Sequence, residues 1–395
     1  MSPANSTTWR EWVAIFMLGI ASFTVVTSEL APIGMLSAIA QALHQKTSTA
    51  GVVVTLYAWV GAAAALVSVT MISHLPRRPL LVGLMLVLGL SNGVAAMSHQ
   101  FNLLLVARLI GALAHGAFWA IIGSLGAKLV SDSHVGKATA IVFGGVSIAS
   151  VLGVPLINWI SAHADWRWSF SLLASLSIIT GIMLAICLPA VSGTAPIERR
   201  QLLSVVKNPG LRIVYLIAGC SIVAHFAAFT FIETLLSSVL ALPETWVTLY
   251  LLIFGVAGVI GNIICGVFID SHLKKVLGVG LLLVGCCLLL INSPMFNSRV
   301  SILLLLAGWG LGVAILFVGF QTWILRVAKE DALPASAIYA AIFNGAVGFG
   351  AVMGAGVIGF WSVTTLYFLS SIISLVSLLL LYRTDAWTVL NNTDI

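Results

Sequence analysis

Charge is scarce in this chain. Asp, Glu, Lys and Arg together make up 8% of its 395 residues, against about 25% in an ordinary soluble domain. Hydrophobic residues make up 60% and the mean hydropathy is +1.13. No soluble core of this size could hide so much apolar surface, so the principal solvent is lipid. Cysteine is also sparse. Cys187, Cys220, Cys265, Cys286 and Cys287 all lie within apolar runs with no partner in a polar loop, which argues against a disulfide framework and reads as small buried hydrophobes. No G-x-x-x-x-G-K-[ST] phosphate loop is present, so ATP drive has no support. No short His/Cys/Asp cluster has metal-ligand spacing, and His115 and His225 fall in opposite halves. No Ser/His/Asp arrangement suggests an enzyme. The expectation is therefore a non-enzyme without metal or cofactor. The net charge of +6 comes from basic residues scattered over short loops, which fits membrane topology and not nucleic acid.

What the chain does have is long apolar runs of membrane-crossing length. The first, Trp12 to Gly34, exceeds a signal-peptide core of about 7–15 residues and is followed by no small-residue cleavage pattern, so it reads as a retained span. Twelve spans of about 20 residues fall near 12–34, 51–73, 79–97, 101–127, 137–160, 168–189, 211–235, 246–269, 275–292, 300–327, 334–358 and 361–382. They are numbered 1 to 12 below. The one long loop, Ala190–Gly210, carries Pro196, Glu198, Arg199, Arg200, Lys207 and Pro209. It divides the chain into an N-terminal bundle over 1–189, a linker over 190–210 and a C-terminal bundle over 211–395. With the N-terminus inside, fourteen Lys and Arg fall in cytoplasmic segments, only Lys46, Arg167 and Arg299 outside, and Arg108 within a span. The positive-inside rule then places both termini and the linker in the cytoplasm.

The halves resemble each other. His74-Leu-Pro-Arg77-Arg78-Pro79 joins spans 2 and 3, and Gly266-Val-Phe-Ile-Asp270-Ser-His-Leu-Lys274-Lys275 joins spans 8 and 9. Glu29 is late in span 1 and Glu233 late in span 7, equivalent positions in a six-span duplication. Two parallel repeats about the membrane normal, with a midplane site between them, are the layout of major facilitator transporters. The motifs carry the resemblance further. Gly266, Asp270, Lys274 and Lys275 fit that superfamily's G-x-x-x-D-R-x-G-R-[KR] loop, with departures at Ser271 and Leu273. In the first half Arg77 and Arg78 remain while Ser73 and Pro76 replace the Asp and Gly. Arg108-Leu-Ile-Gly111-Ala-Leu-Ala-His115-Gly116 resembles its span-4 pattern, and Gly145 with Gly153-Val-Pro155 its antiporter signature, although Ile157 and Asn158 replace the usual trailing glycine. Asp165-Trp-Arg-Trp168 resembles the family's loop before span 6. Thr27-Ser-Glu29-Leu-Ala-Pro32-Ile-Gly34, Tyr57-Ala-Trp59-Val60, Ala114-His115-Gly-Ala-Phe118-Trp119, Ala224-His225 through Ile232-Glu233, and Ile342-Phe343-Asn344 are similar to bacterial sugar efflux transporters of the SotB type. That resemblance implies an all-α, twelve-span protein of the bacterial inner membrane, acting as a monomer. It would export a sugar such as arabinose or a thiogalactoside in exchange for protons. The same machinery elsewhere exports purine nucleosides or drugs such as chloramphenicol.

Glu29, Arg108 and Glu233 are the charges deepest in apolar sequence. A charge at the bilayer centre costs at least about 2.5–3.5 kcal/mol on insertion scales, so it is kept for a partner, water or a task. Arg108, Gly111, His115 and Trp119 share one face of span 4. Helical rise puts Arg108 about 10 Å below the outer end of span 4 and Glu29 about 25 Å above the inner start of span 1, so a Glu29–Arg108 pair is geometrically possible. Such a pair could be a static tie between helices. Alternatively a carboxylate could exchange the coupling proton while a moving arginine modulates it. The sequence does not choose between Glu29 and Glu233 for that role. On span 7, His225, Phe229 and Glu233 follow at one-turn steps. With Tyr57, His115, Phe118, Trp119, Gln321 and Asn344 they are the candidate lining of a small-molecule site, where hydroxyls need fixed donors and acceptors and ring faces need flat walls. The polar members favour a hydroxyl-rich cargo.

Overall fold

The computed structural model describes residues 8–130, 135–193, 197–291, 293–296 and 298–384. Within these, every regular element is helical. Eleven apolar stretches are long enough to cross a bilayer. One of them, Arg299–Phe360, runs 62 residues, which at helical rise would be about 90 Å, three times the hydrocarbon core. A 3₁₀ turn at Lys329–Asp331, entered through a positive φ at Lys329, divides it into Arg299–Ala328 and Ala332–Phe360. The described residues thus hold twelve helical stretches of membrane-crossing length. Spans 8 and 9 share one run, Glu244–Leu290, broken by non-helical backbone at His272.

The chain forms two compact units: residues up to Gly34 with Val60–Ile197, and Met35–Trp59 with the chain from Glu198. In the first unit, span 1 (Trp9–Leu30) opens on a capping box in which Thr8 and Glu11 satisfy each other's backbone N–H groups. It ends in a 3₁₀ turn over Ala31–Met35, because Pro32 cannot donate and restricts the residue before it. Glycines let helices meet backbone to backbone. A side chain at Gly145 would strike the Gly19 carbonyl, and one at Gly116 would strike the Gly61 carbonyl, so spans 5 and 4 lie directly against spans 1 and 2. Span 5 is interrupted by a π-helical turn, Ala149–Gly153, before resuming at Val154–His163 with Pro155 in its first turn. Such a bulge absorbs the hydrogen bond that proline cannot make. The apolar core of this unit runs through Ile15, Leu18, Met85, Leu88, Phe118, Ile121 and Val142.

The linker opens with a strap over the loop between spans 2 and 3. Arg77 donates its main-chain N–H to Val191 and Ile197 donates to Val69, while Gly193 lies so close to the His74 carbonyl that no side chain fits. In the second unit the linker continues as a short helix, Arg199–Lys207, before Asn208 caps span 7 (Pro209–Phe229). Span 7 stops sooner than its hydropathy suggests. The Thr230 hydroxyl bonds back to the Phe226 carbonyl, and the chain turns at Thr230 and Phe231 before one further helical turn, Ile232–Thr234. Glu233 therefore lies beyond a break and does not continue the face carrying His225 and Phe229. Span 10 touches span 8 where Gly310 and Gly261 meet the Phe254 and Leu311 carbonyls, and touches span 9 at Gly312 and Gly280. Tyr215 and Tyr367 tie span 7 to spans 11 and 12 by donating to the Ala335 and Ala228 carbonyls, each at 3.0 Å.

Candidate functional site

In the first unit the polar residues gather where span 1 ends. Glu29 occupies the last helical turn before Pro32, and one carboxylate oxygen stands 3.7 Å from His115 Nε2. His115 is buried and the carboxylate is 15% exposed, so the pair sits at the rim of the packed interior. Arg108, fully buried about two turns from His115 on the same helical face, donates from Nη2 to the Glu29 main-chain carbonyl at 3.2 Å and lies 5.7 Å from the Phe170 ring. The geometry expected for a Glu29–Arg108 pair thus has a different form. The guanidinium holds the peptide of Glu29, and the carboxylate reaches toward the imidazole.

The surroundings hold Glu29 in place. Ser28 donates to the Asn92 side-chain oxygen at 3.0 Å, both fully buried, tying span 1 to span 3. Gly153 of the π turn allows Thr27 to approach until a Cβ there would stand 2.9 Å from its hydroxyl, and Asn158 donates to the Gly34 carbonyl at 2.9 Å. The Gly153-Val-Pro155 segment therefore packs against the two turns that carry Glu29. Trp119 presents its ring edge-on to both His115 and Phe118, with centroids 6.4 and 5.6 Å apart. Phe118 itself belongs to the apolar core.

In the second unit His225 sits in an aromatic cage. Phe229 stacks on it at 5.0 Å, and Phe226, Phe254, Trp309 and Phe317 complete the walls. Trp309 Nε1 donates to His225 Nδ1 at 3.2 Å. A nitrogen that accepts a hydrogen bond carries no proton, so this contact holds the imidazole in its neutral Nε2–H form. Trp309 was not among the expected site residues. Its signal was an indole between Gly308 and Gly310 in an apolar span, a donor that must find an acceptor inside the bundle. Farther along, Gln321 donates to the Ser336 hydroxyl at 3.0 Å, and Asn344 donates to the Ala340 carbonyl of its own helix at 2.9 Å. Tyr57 is buried.

Glu233 has a different setting from Glu29. It is buried, and its two oxygens are shared: one accepts from the main-chain N–H of Ser37 at 3.2 Å, the other from the Ser237 hydroxyl at 2.9 Å. The same segment is anchored nearby, with Gly51 against the Phe231 ring and Trp59 Nε1 donating to the Gly345 carbonyl at 3.1 Å. Ser37 and Ser237 were not expected to matter: Ser37 acts through its main-chain N–H, which leaves no mark in a sequence, and Ser237 is a hydroxyl one turn beyond Glu233 in an apolar run.

Of the loop-motif residues, Arg77 is buried in the linker strap and Arg78 donates to the Ala185 carbonyl. Gly266 faces open space, Lys274 lies 5.4 Å from the centre of the Tyr382 ring, and Lys275 is exposed. The side chain of Asp270 lies outside the described residues. Among the described residues no three His, Cys, Asp or Glu side chains come together as metal ligands.

Apolar helices of membrane-crossing length in both units make this a multi-pass membrane protein. Residues 15–337 match the model of the Major Facilitator Superfamily, and the chain belongs to that family. Its fold is similar to a bacterial homologue of the human lysosomal transporter Spinster, crystallised in an inward-facing, unoccupied conformation. The TM-score is 0.73 and the identity 11%, over 98% of this chain and 97% of that one. It is also similar to the human organic anion transporter MFSD10 (TETRAN), with a TM-score of 0.67 and 15% identity over 94% and 99% of the two chains.

Proposed function

We propose that this transporter exports a small hydroxyl-rich solute, of the sugar class, in exchange for protons, from the cytoplasm across a bacterial inner membrane. In this reading both termini are cytoplasmic and the protein works as a monomer through two six-helix bundles, 1–189 and 211–395. The observation that carries it is the Glu29–His115 contact at 3.7 Å beside the buried Arg108. In a medium of low dielectric, a carboxylate and an imidazole within reach of each other persist as an ion pair or as a neutral acid and base. Transfer of one proton interconverts these two arrangements, and loss of that proton to one side of the membrane leaves the Glu29 carboxylate beside a neutral imidazole, with Arg108 as the nearby positive charge. Arg108, bound to the Glu29 peptide, biases that choice as span 1 moves. Glu29 is the coupling carboxylate in this scheme. Glu233, whose oxygens are taken by Ser37 and Ser237, ties the segment Met35–Trp59 to the chain after span 7.

The cargo class rests on chemistry. In the first unit His115 and Trp119, and in the second His225 in its Nε2–H form with Tyr57, Phe229, Gln321 and Asn344, are of the residue types a polyol requires: donors, acceptors and ring faces. Purine nucleosides and drugs such as chloramphenicol are the competing cargoes. Counterflow in proteoliposomes with labelled arabinose, isopropyl thiogalactoside, inosine and chloramphenicol separates them when run with and without a pH gradient. Saturable sugar counterflow, with uphill movement when the gradient is applied, is expected. Preference for inosine or chloramphenicol would replace the sugar reading, and indifference to the gradient would remove proton exchange.

A further inference from the structure

We propose that the groove in the crook between spans 8 and 9 binds one phospholipid with an anionic head group, drawn from the leaflet on the linker side. The groove has a volume of about 410 Å³ and is walled by Ile264, Phe268, Val276, Val279 and Ile315, with His272 and Lys275 among its lining. Phe268 and Val279 are more than half exposed, so the walls open outward where a membrane helix meets acyl chains. The two polar residues stand at the break in helical backbone at His272, where the chain turns from one span into the next. An apolar trough ending in a lysine and a histidine matches an amphiphile with an anionic head and a hydrocarbon tail.

The other cations nearby are engaged. Lys274 lies over the Tyr382 ring, and Arg326 donates to the Ile269 carbonyl. Lys275 is exposed and makes no ion pair among the described residues, and His272 keeps Nε2 available while Nδ1 meets the Ser271 hydroxyl at 2.8 Å. Asp270 is the acid of the same turn, and against Lys274 and Lys275 it leaves the turn with a positive balance. A hydroxyl-rich cargo finds few polar groups here, and the groove lies apart from the His225 cage. Basic groups between membrane helices on the cytoplasmic side are the arrangement that holds anionic lipid head groups. This inference rests on the membrane-spanning fold and on the cytoplasmic placement of the linker proposed above, and is independent of cargo and coupling.

The test uses the full chain, stripped of lipid in detergent and returned to nanodiscs of phosphatidylcholine with a graded fraction of phosphatidylglycerol. Tightly held lipid is counted by native mass spectrometry. One phosphatidylglycerol is expected to be retained in preference to phosphatidylcholine. Lys275→Gln should weaken that preference by about fivefold, the effect of one basic residue near an anionic surface, with an unchanged melting temperature. Val279→Phe, which fills the trough, should reduce retention of both lipids. Equal retention of the two lipids by the unaltered protein, or a Lys275→Gln protein as selective as the original, would overturn the proposal. Displacement of the lipid by inorganic phosphate alone would also overturn it, showing an ion site without a role for the chain.

Discussion

Removing the Glu233 carboxylate should release the segment Met35–Trp59. Of the bonds Glu233 makes, the one from the Ser37 N–H spans 196 residues of sequence, whereas the Ser237 bond stays within its own helical turn. Hydrogen bonds to charged groups are worth about 1.5–3 kcal/mol. Losing the Ser37 bond should therefore shift the balance between the docked segment and a released one by about 10- to 150-fold, in the range of ordinary conformational couplings. The remaining anchors, Gly51 on Phe231 and Trp59 on the Gly345 carbonyl, oppose complete separation. Ala50 is fully buried in this arrangement, so a cysteine introduced there reports opening through its rate of reaction with a membrane-impermeant maleimide. In the Glu233→Ala background that rate should rise by at least about tenfold. In Ser237→Ala, which leaves the Ser37 bond intact, it should change little. Glu233→Gln, whose amide oxygen can still accept but carries no charge, should fall between. Equal rates in Glu233→Ala and the parent would refute the assignment of Glu233 as a tie.

Other perturbations follow from single contacts. Trp309→Phe keeps a ring in the cage but strands His225 Nδ1 without its donor, at a cost of about 1–3 kcal/mol for an unsatisfied buried group. A lower melting temperature and weakened cargo counterflow should accompany it. Gly116→Leu would drive a side chain into the Gly61 carbonyl and the backbone at Ala65. Backbone cannot yield as a flexible side chain does, so about 1–3 kcal/mol of overpacking is expected, read as reduced thermal stability in detergent. Gly266→Ala, at a motif glycine with open space around it, should leave stability within about 0.5 kcal/mol of the parent.

Much of the architecture was legible in the sequence because lipid imposes a coarse rule: each span must be apolar for about 20 residues. The twelve helices followed from that rule, including the pair hidden in the 62-residue run Arg299–Phe360. Helix interruptions were less legible. The π turn before Pro155 and the early end of span 7 at Phe229 arise from local backbone bonding, which hydropathy does not register. Helical spacing brought Arg108 and His115 to one face, and the structure puts both beside Glu29. What spacing could not tell was that the guanidinium would meet a carbonyl and the imidazole the carboxylate, since that choice depends on where span 1 unwinds. The projection of Glu233 onto the face of His225 and Phe229 assumed an unbroken helix, and the turn at Thr230 and Phe231 separates them. Trp309 and Ser37 escaped notice for different reasons: one looked like packing, and the other acts through its main chain.

The most direct test of the coupling scheme is proton movement accompanying cargo in Glu29→Gln proteoliposomes, followed with an internal pH-sensitive dye alongside labelled arabinose. The account predicts that downhill exchange of cargo survives while proton movement and gradient-driven accumulation are lost. Proton movement of the same size per cargo as in the parent would contradict it.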